Sequence, residues 1–161
     1  MLPDQLHEVT AHVGFALWQT QITESTVGTY LVLVHKATLG QARTEVEGMF
    51  AKAGKSTLGT LLRSIQAAGT APQSLTDVLD AFVSKRNWLV HHSRHESRPA
   101  MYSPAGREAL VARLEAIADE ALAVAKAFQA STEVHLASLG ISRQQIDRDA
   151  ARILDEWSTR A

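Results

Sequence analysis

The 161-residue sequence contains no cysteine. Disulfides, thiolate nucleophiles and cysteine-based zinc sites are therefore excluded. Proline is scarce: Pro3, Pro72, Pro99 and Pro104 are the only four, and each falls where a segment starts or ends. Long stretches are thus free of helix breakers. Neither sign of charge dominates, since 16 Lys and Arg against 17 Asp and Glu leave a formal net charge of −1. A strongly basic coat for nucleic acid is ruled out, although a local basic patch is not. No apolar run is long enough to span a bilayer, and Met1-Leu2-Pro3-Asp4 lacks the basic-then-apolar pattern of an export signal. We expect a soluble, cytoplasmic protein with no membrane partner. Apolar bulk is what the chain does have: hydrophobic residues make up 45% of it, enough for one core, and the length suits a single domain over residues 1–161.

The pattern is helical almost throughout. Asp4 is placed to cap a helix running through Leu6, Val9, Val13 and Leu17 and on past Glu24. Its continuation, Tyr30-Leu31-Val32-Leu33-Val34, is β-branched and continuously apolar, so a strand competes there. Helix is preferred because no alternating segment exists to pair with such a strand. Thr38-Leu39-Gly40 is a break. Two short helices follow, Ala42 to Ala53 ended by Gly54 and Thr57 to Ala68 ended by Gly69. After the turn at Ala71-Pro72-Gln73-Ser74, with Ser74 as cap, a helix is expected from Leu75 to about Glu96. Ser97 to Pro104 reads as a loop, and an Ala-rich helix runs from Ala105 towards Leu139, closed by Gly140. Ser142 and Gln145 form a capping-box pair for a last helix ending near Trp157. The expected architecture is an all-α bundle of three to four long helices with short connecting helices.

Gly54-Lys55-Ser56 resembles the end of a phosphate-binding loop, but the position that should hold the first glycine holds Met49, with Gly48 one residue out of register. The informative stretch is Ser84-Lys85-Arg86-Asn87-Trp88-Leu89-Val90-His91-His92-Ser93-Arg94-His95-Glu96. At about 100° per residue, Leu75, Val78, Leu79, Phe82, Leu89 and Val90 form one broad apolar face. Arg86 projects from within it, where a guanidinium is costly unless it is paired or borders a groove. Asn87 and His91 lie a turn apart on the flank, and Arg94 and His95 extend that flank. From Lys85 to Arg98 there are four Lys or Arg residues against one acidic residue, Glu96.

Cleavage of a phosphodiester beside a 2′-hydroxyl needs a proton acceptor, a proton donor and a holder of negative charge. Imidazole suits the proton transfers, with an unperturbed pKa of about 6.5. Arg offers a permanently charged fork to phosphate oxygens, and Asn can orient either partner. No metal or other cofactor is required. One His serves poorly as acid and base at once, and a symmetric dimer would supply two.

Arg86-Asn87-Trp88-Leu89-Val90-His91 resembles the Arg, polar residue, three more, His motif of the HEPN superfamily (higher eukaryotes and prokaryotes nucleotide-binding domains). Leu58-Gly59 before a short helix, and the Leu75–Phe82 run leading into Lys85-Arg86-Asn87, resemble small prokaryotic members. The resemblance covers about a dozen residues by motif and nearly the whole chain by architecture. It implies a metal-independent endoribonuclease, dimeric, with paired motifs in a shared cleft, acting as a toxin or in phage defence under an antitoxin or defence-complex partner. Arg86 would stabilise the phosphate, His91 would be the acid/base and Asn87 would support both, with Lys85, Arg94 and His95 holding the RNA. Members paired with a nucleotidyltransferase antitoxin often carry Tyr two residues after the His; here that position is Ser93, and Tyr102 lies downstream.

Three rival readings stand beside this one. Arg86 could simply pair with Asp80 or Glu24 across the bundle. The domain could bind nucleotide, RNA or protein without cleaving. His91 and His95 have the helical spacing of metal ligands, without a second ligand pair. Trp18, Trp88 and Trp157 are expected to be core or interface anchors rather than stacking platforms.

Overall fold

A computed structural model describes residues 3–159, and among them there is no strand. The elements are α1 (Pro3–His35), α2 (Arg43–Gly54), α3 (Leu58–Ala68), α4 (Gln73–Asn87), a π-turn (Trp88–His92), α5 (Ser93–Glu96), a 3₁₀ turn (Pro99–Tyr102), α6 (Pro104–Ser138) and α7 (Arg143–Ser158). The expected all-α class is observed. The Asp4 cap and the packing of Trp157 lie outside the described side chains.

The segment that could have been a strand is the last part of α1. Tyr30, Leu31 and Val32 are consecutive and all buried. A helix enclosed on several sides is apolar all round, which removes the usual one-faced pattern. Tyr30 meets Phe128 of α6 edge to face with ring centroids 5.0 Å apart. The hydroxyl proton of Thr23 is shared between the carbonyls of Gln19, 2.9 Å away, and Ala121, 2.8 Å away, so this buried group is satisfied across the α1–α6 contact.

Three pairings fix the direction of the two longest helices. His12 faces Glu115, Thr23 faces Ala121 and Tyr30 faces Phe128. Both numbers rise together, so α1 and α6 run parallel, with their ends nearly level. Antiparallel to α6 is α4, since Lys85 reaches Glu120 while Trp88 reaches back to Arg113. The core between them is filled by Leu58, Leu61, Ile65, Leu79, Phe82, Leu89 and Leu114, all but inaccessible to solvent.

Local signals set most helix ends. Thr57 caps α3, accepting from the Thr60 amide at 3.3 Å, and Gly69 ends it at φ 70°. Ser103 caps α6 with Pro104 in the first turn. Gly140, at φ 81°, closes that helix as Ile141 N–H reaches back to the Leu136 carbonyl at 3.0 Å. Ser142 and Gln145 form the expected reciprocal box, with contacts of 3.3 and 2.8 Å. Ser74 is not a cap: α4 starts one residue earlier, behind Pro72, whose carbonyl accepts from Leu75 and Thr76. The expected loop before α6 contains the 3₁₀ turn, pressed hard against the next helix. A Cβ on Gly106 would lie 2.5 Å from the Ala100 carbonyl oxygen, so only glycine admits that approach.

Candidate active site

The helix expected over Leu75–Glu96 is continuous in path but not in pitch. At Trp88–His92 it widens into a π-turn, in which Ser93 N–H bonds to the carbonyl of Trp88, five residues back. The Ser93 hydroxyl donates to the Leu89 carbonyl at 2.6 Å and secures the same turn. On an uninterrupted α-helix, Arg86 and His91 would be rotated about 140° apart. A turn closed by five residues instead of four narrows that angle. The motif thus runs from the end of α4 into a stretch whose geometry favours a spacing of five.

Indole chemistry anchors the widened turn. Trp88 is buried, and its ring N–H donates to Glu96 at 2.7 Å. The guanidinium of Arg113 on α6 lies over the ring, 3.4 Å from its centroid. Glu96 also approaches His92, Nδ1 to Oε1 at 3.8 Å. The turn is therefore tied both to its own C-terminal end and to the neighbouring long helix.

The six residues singled out by the sequence fall into three groups. Arg86 and Asn87 form a network with α1: Arg86 Nε donates to Glu24 at 2.8 Å, and Nη1 lies 3.4 Å from the Asn87 side-chain oxygen. The two ion-pair side chains are only 15% and 22% exposed. Nη2 of Arg86 has no partner among the described residues. Lys85 is neutralised separately by Glu120 on α6. His91, Arg94 and His95 are exposed and have no ion-pair or side-chain hydrogen-bond partner among the described residues. No hydrogen bond joins Arg86 to His91. The His91 and His92 rings stand 6.4 Å apart, and the groups able to bind a metal do not gather in threes among the described residues.

Glu24 was visible in the sequence only as one of two carboxylates that could satisfy Arg86. Its signal was isolation, because it is the sole acidic residue between Val9 and His35. Trp88 and Glu96, eight residues or about two turns apart, had a spacing that could have been noticed. Glu120 and Arg113 had none, because their contacts depend on how α6 crosses α4.

Away from this site, the described groups include one buried polar atom without a partner, Nε2 of His35. Its other ring nitrogen is 2.9 Å from the Thr70 hydroxyl, and Tyr30 packs edge to face against the ring. Burial and then the nearby His135 push the His35 pKa below the ordinary histidine value.

The chain matches no protein-family model, no curated protein and no solved structure.

Proposed function

We propose that the chain is a HEPN-type, metal-independent endoribonuclease that works as a dimer. The observation behind this reading is the unequal satisfaction of the motif. Arg86 is held in place through Nε and Nη1, with Nη2 left over, while His91 on the adjoining π-turn is exposed and without a partner. A pinned guanidinium and a free imidazole on adjoining turns are groups that phosphodiester chemistry needs. Nη2 of Arg86 holds a non-bridging phosphate oxygen, and Asn87 keeps the fork oriented. One His91 takes the 2′-hydroxyl proton as the 2′-oxygen bonds to phosphorus. The 5′-oxygen leaves with a proton from the His91 of the second copy. The products are a 2′,3′-cyclic phosphate and a 5′-hydroxyl. Exposed Arg94 and His95 contact the RNA, whereas Lys85, bound to Glu120, contributes less. Control by an antitoxin or a defence complex is part of the same proposal.

The test is cleavage of single-stranded RNA in the presence of a chelator. His91→Ala is expected to lose about 100-fold or more, the usual contribution of an acid/base group. If the wild type and His91→Ala cleave at equal rates, the catalytic assignment is wrong. The Arg86–Glu24 pair favours one second reading, a non-catalytic HEPN-type module that binds RNA or protein. That module would bind without ever forming a cyclic phosphate.

A further inference from the structure

Among the described residues, none of α7 belongs to the buried core. Its apolar positions Ile146, Ala150, Ile153 and Leu154 fall on one stripe at helical spacing. Yet Ile146, Ile153 and Leu154 are 37%, 40% and 61% exposed. Among the described residues, Arg143 to Glu133, at 3.0 Å, is the only hydrogen bond or ion pair from α7 to another element. Under its first two turns a cavity of about 330 Å³ is lined by Thr26, Thr29, Gln129, Glu133, Ile146 and Asp147. At the other end, Arg43 of α2 is held above the ordinary arginine pKa by its bond to Glu47 and, more weakly, by Glu156. Thus α7 runs from α6 across α1 towards α2. That course leaves a face uncovered. Phe15, Ile22 and Thr29 repeat every seven residues on α1, and Leu122 and Gln129 are seven apart on α6, so each set shares one side of its helix. Phe15, Trp18, Ile22 and Leu122 are all exposed. The groove beneath α7 therefore continues, open and apolar, towards the amino ends of α1 and α6.

We infer that α7 is a hinged strap with a second seat in this groove, antiparallel to α1 and α6. Register follows from the spacing. Ile146 and Ile153, Thr29 and Ile22, and Gln129 and Leu122 are each seven residues apart, two helical turns. With Ile146 kept level with Thr29 and Gln129, Ile153 comes level with Ile22 and Leu122. Charge fits the same seat. At about 100° per residue, Asp147 falls on the α6 side, level with exposed Lys126, while Asp149 and Glu156 fall on the α1 side. From Val9 to His35, the only carboxylate of α1 is Glu24, which is turned away and bound to Arg86. The exposed acids on the α6 edge, Glu115 and Asp119, come level with Ser158 and Leu154 and so oppose no carboxylate. Leu139–Ile141, between α6 and the Ser142 cap, supply the hinge, with Gly140 at φ 81°. Seating closes the cavity and covers Ile22 and Leu122, and lifting offers them to solvent. This face lies away from Arg86, so the strap stands apart from the nuclease reading and is tested without RNA.

A chain without cysteine lets an introduced pair report alone. Ile22→Cys/Ile153→Cys joins two positions that face each other in the second seat. In Ile22→Cys/Asp155→Cys the second position lies on the opposite side of α7. Each full-length variant is oxidised at low micromolar concentration with oxidised glutathione, and the products are followed by non-reducing electrophoresis. The first pair is expected to close within one chain and the second is not, since a disulfide needs Cα atoms within about 7 Å. Adding Lys126→Glu to the first pair should slow closure about two- to fivefold, the scale of an exposed ion pair. Adding Asp147→Lys as well should restore the rate. All five substituted side chains are exposed, so every variant should melt as the wild type does. Failure of the first pair to close would overturn the inference. So would equal closure of both pairs, disulfides formed only between chains, or a rate indifferent to Lys126→Glu.

Discussion

Replacing Glu24 by Leu strips the partner from a guanidinium that is only 15% exposed. Breaking a fully buried ion pair by removing one side costs about 3–5 kcal/mol. Here both side chains keep some access to water, and Nη1 keeps Asn87, so we expect about 2–3 kcal/mol. For a chain of this size that corresponds to a melting-temperature loss of roughly 5–10 °C. Arg86→Met should cost a similar amount, because it strands the carboxylate instead. The double variant Arg86→Met/Glu24→Leu removes both charges and fills the space with apolar atoms. It should return to within about 1 kcal/mol of the wild type. Urea titration followed by circular dichroism measures all four proteins, and RNA cleavage is assayed on the same samples. The cycle separates two roles for Arg86. If the guanidinium only braces the fold, the double variant regains activity along with stability. If it touches phosphate, the double variant is stable and inactive. Should Glu24→Leu alone shift stability by less than about 0.5 kcal/mol, the argument that Arg86 is a buried, dependent cation fails.

Two further outcomes are expected. His35 is harder to protonate in the folded protein than in the unfolded chain, so the unfolded state binds more protons as pH falls below about 6.5. Its contribution is complete above that value and is lost as pH drops towards the lowered folded pKa. Melting temperatures measured from pH 7 to pH 5 should fall more steeply for the wild type than for His35→Gln, and parallel curves would sink the assignment. Trp88→Phe keeps the ring over which Arg113 lies but removes the N–H bonded to Glu96. It should cost about 1–2 kcal/mol, with loss of the hydrogen-exchange protection of the Ser93 amide as the turn loosens. Unchanged protection would show that Glu96 does not hold the π-turn.

Much of this fold was legible because its punctuation is local. Gly69, Gly140 and the Ser142–Gln145 pair act within a turn of their own positions, and each is found at a helix end. The buried run at Tyr30–Val32 was ambiguous for a physical reason: enclosure by several neighbours erases the periodicity that distinguishes helix from strand. Ser74 misled because the Pro72 carbonyl, two residues earlier, already accepts the first helical bonds. At the motif, the sequence identified the costly group, Arg86, and included its true partner among two choices. It could not show the π-turn, because a helical wheel assumes a constant 100° step and one widened turn shifts every residue after it. Nor could it distinguish Lys85, which Glu120 neutralises, from Arg94 and His95, because that difference depends on which helix lies opposite.

Parallel alignment of the two longest helices gives the bundle an electrical polarity. Neighbouring helices in an up-and-down bundle oppose one another, and their peptide dipoles largely cancel. Here α1 and α6, of 33 and 35 residues, add instead, and α4, pointing the other way, has only 15. One pole therefore gathers two positive amino ends against the one carboxyl end of α4, close to the turn at Pro99–Tyr102 and to the segment bearing Arg94 and Arg98. The opposite pole gathers two negative carboxyl ends, where the last turns hold His35 and His135. An approaching polyanion would thus meet attraction at one end of the molecule and repulsion at the other, although the chain as a whole is almost neutral.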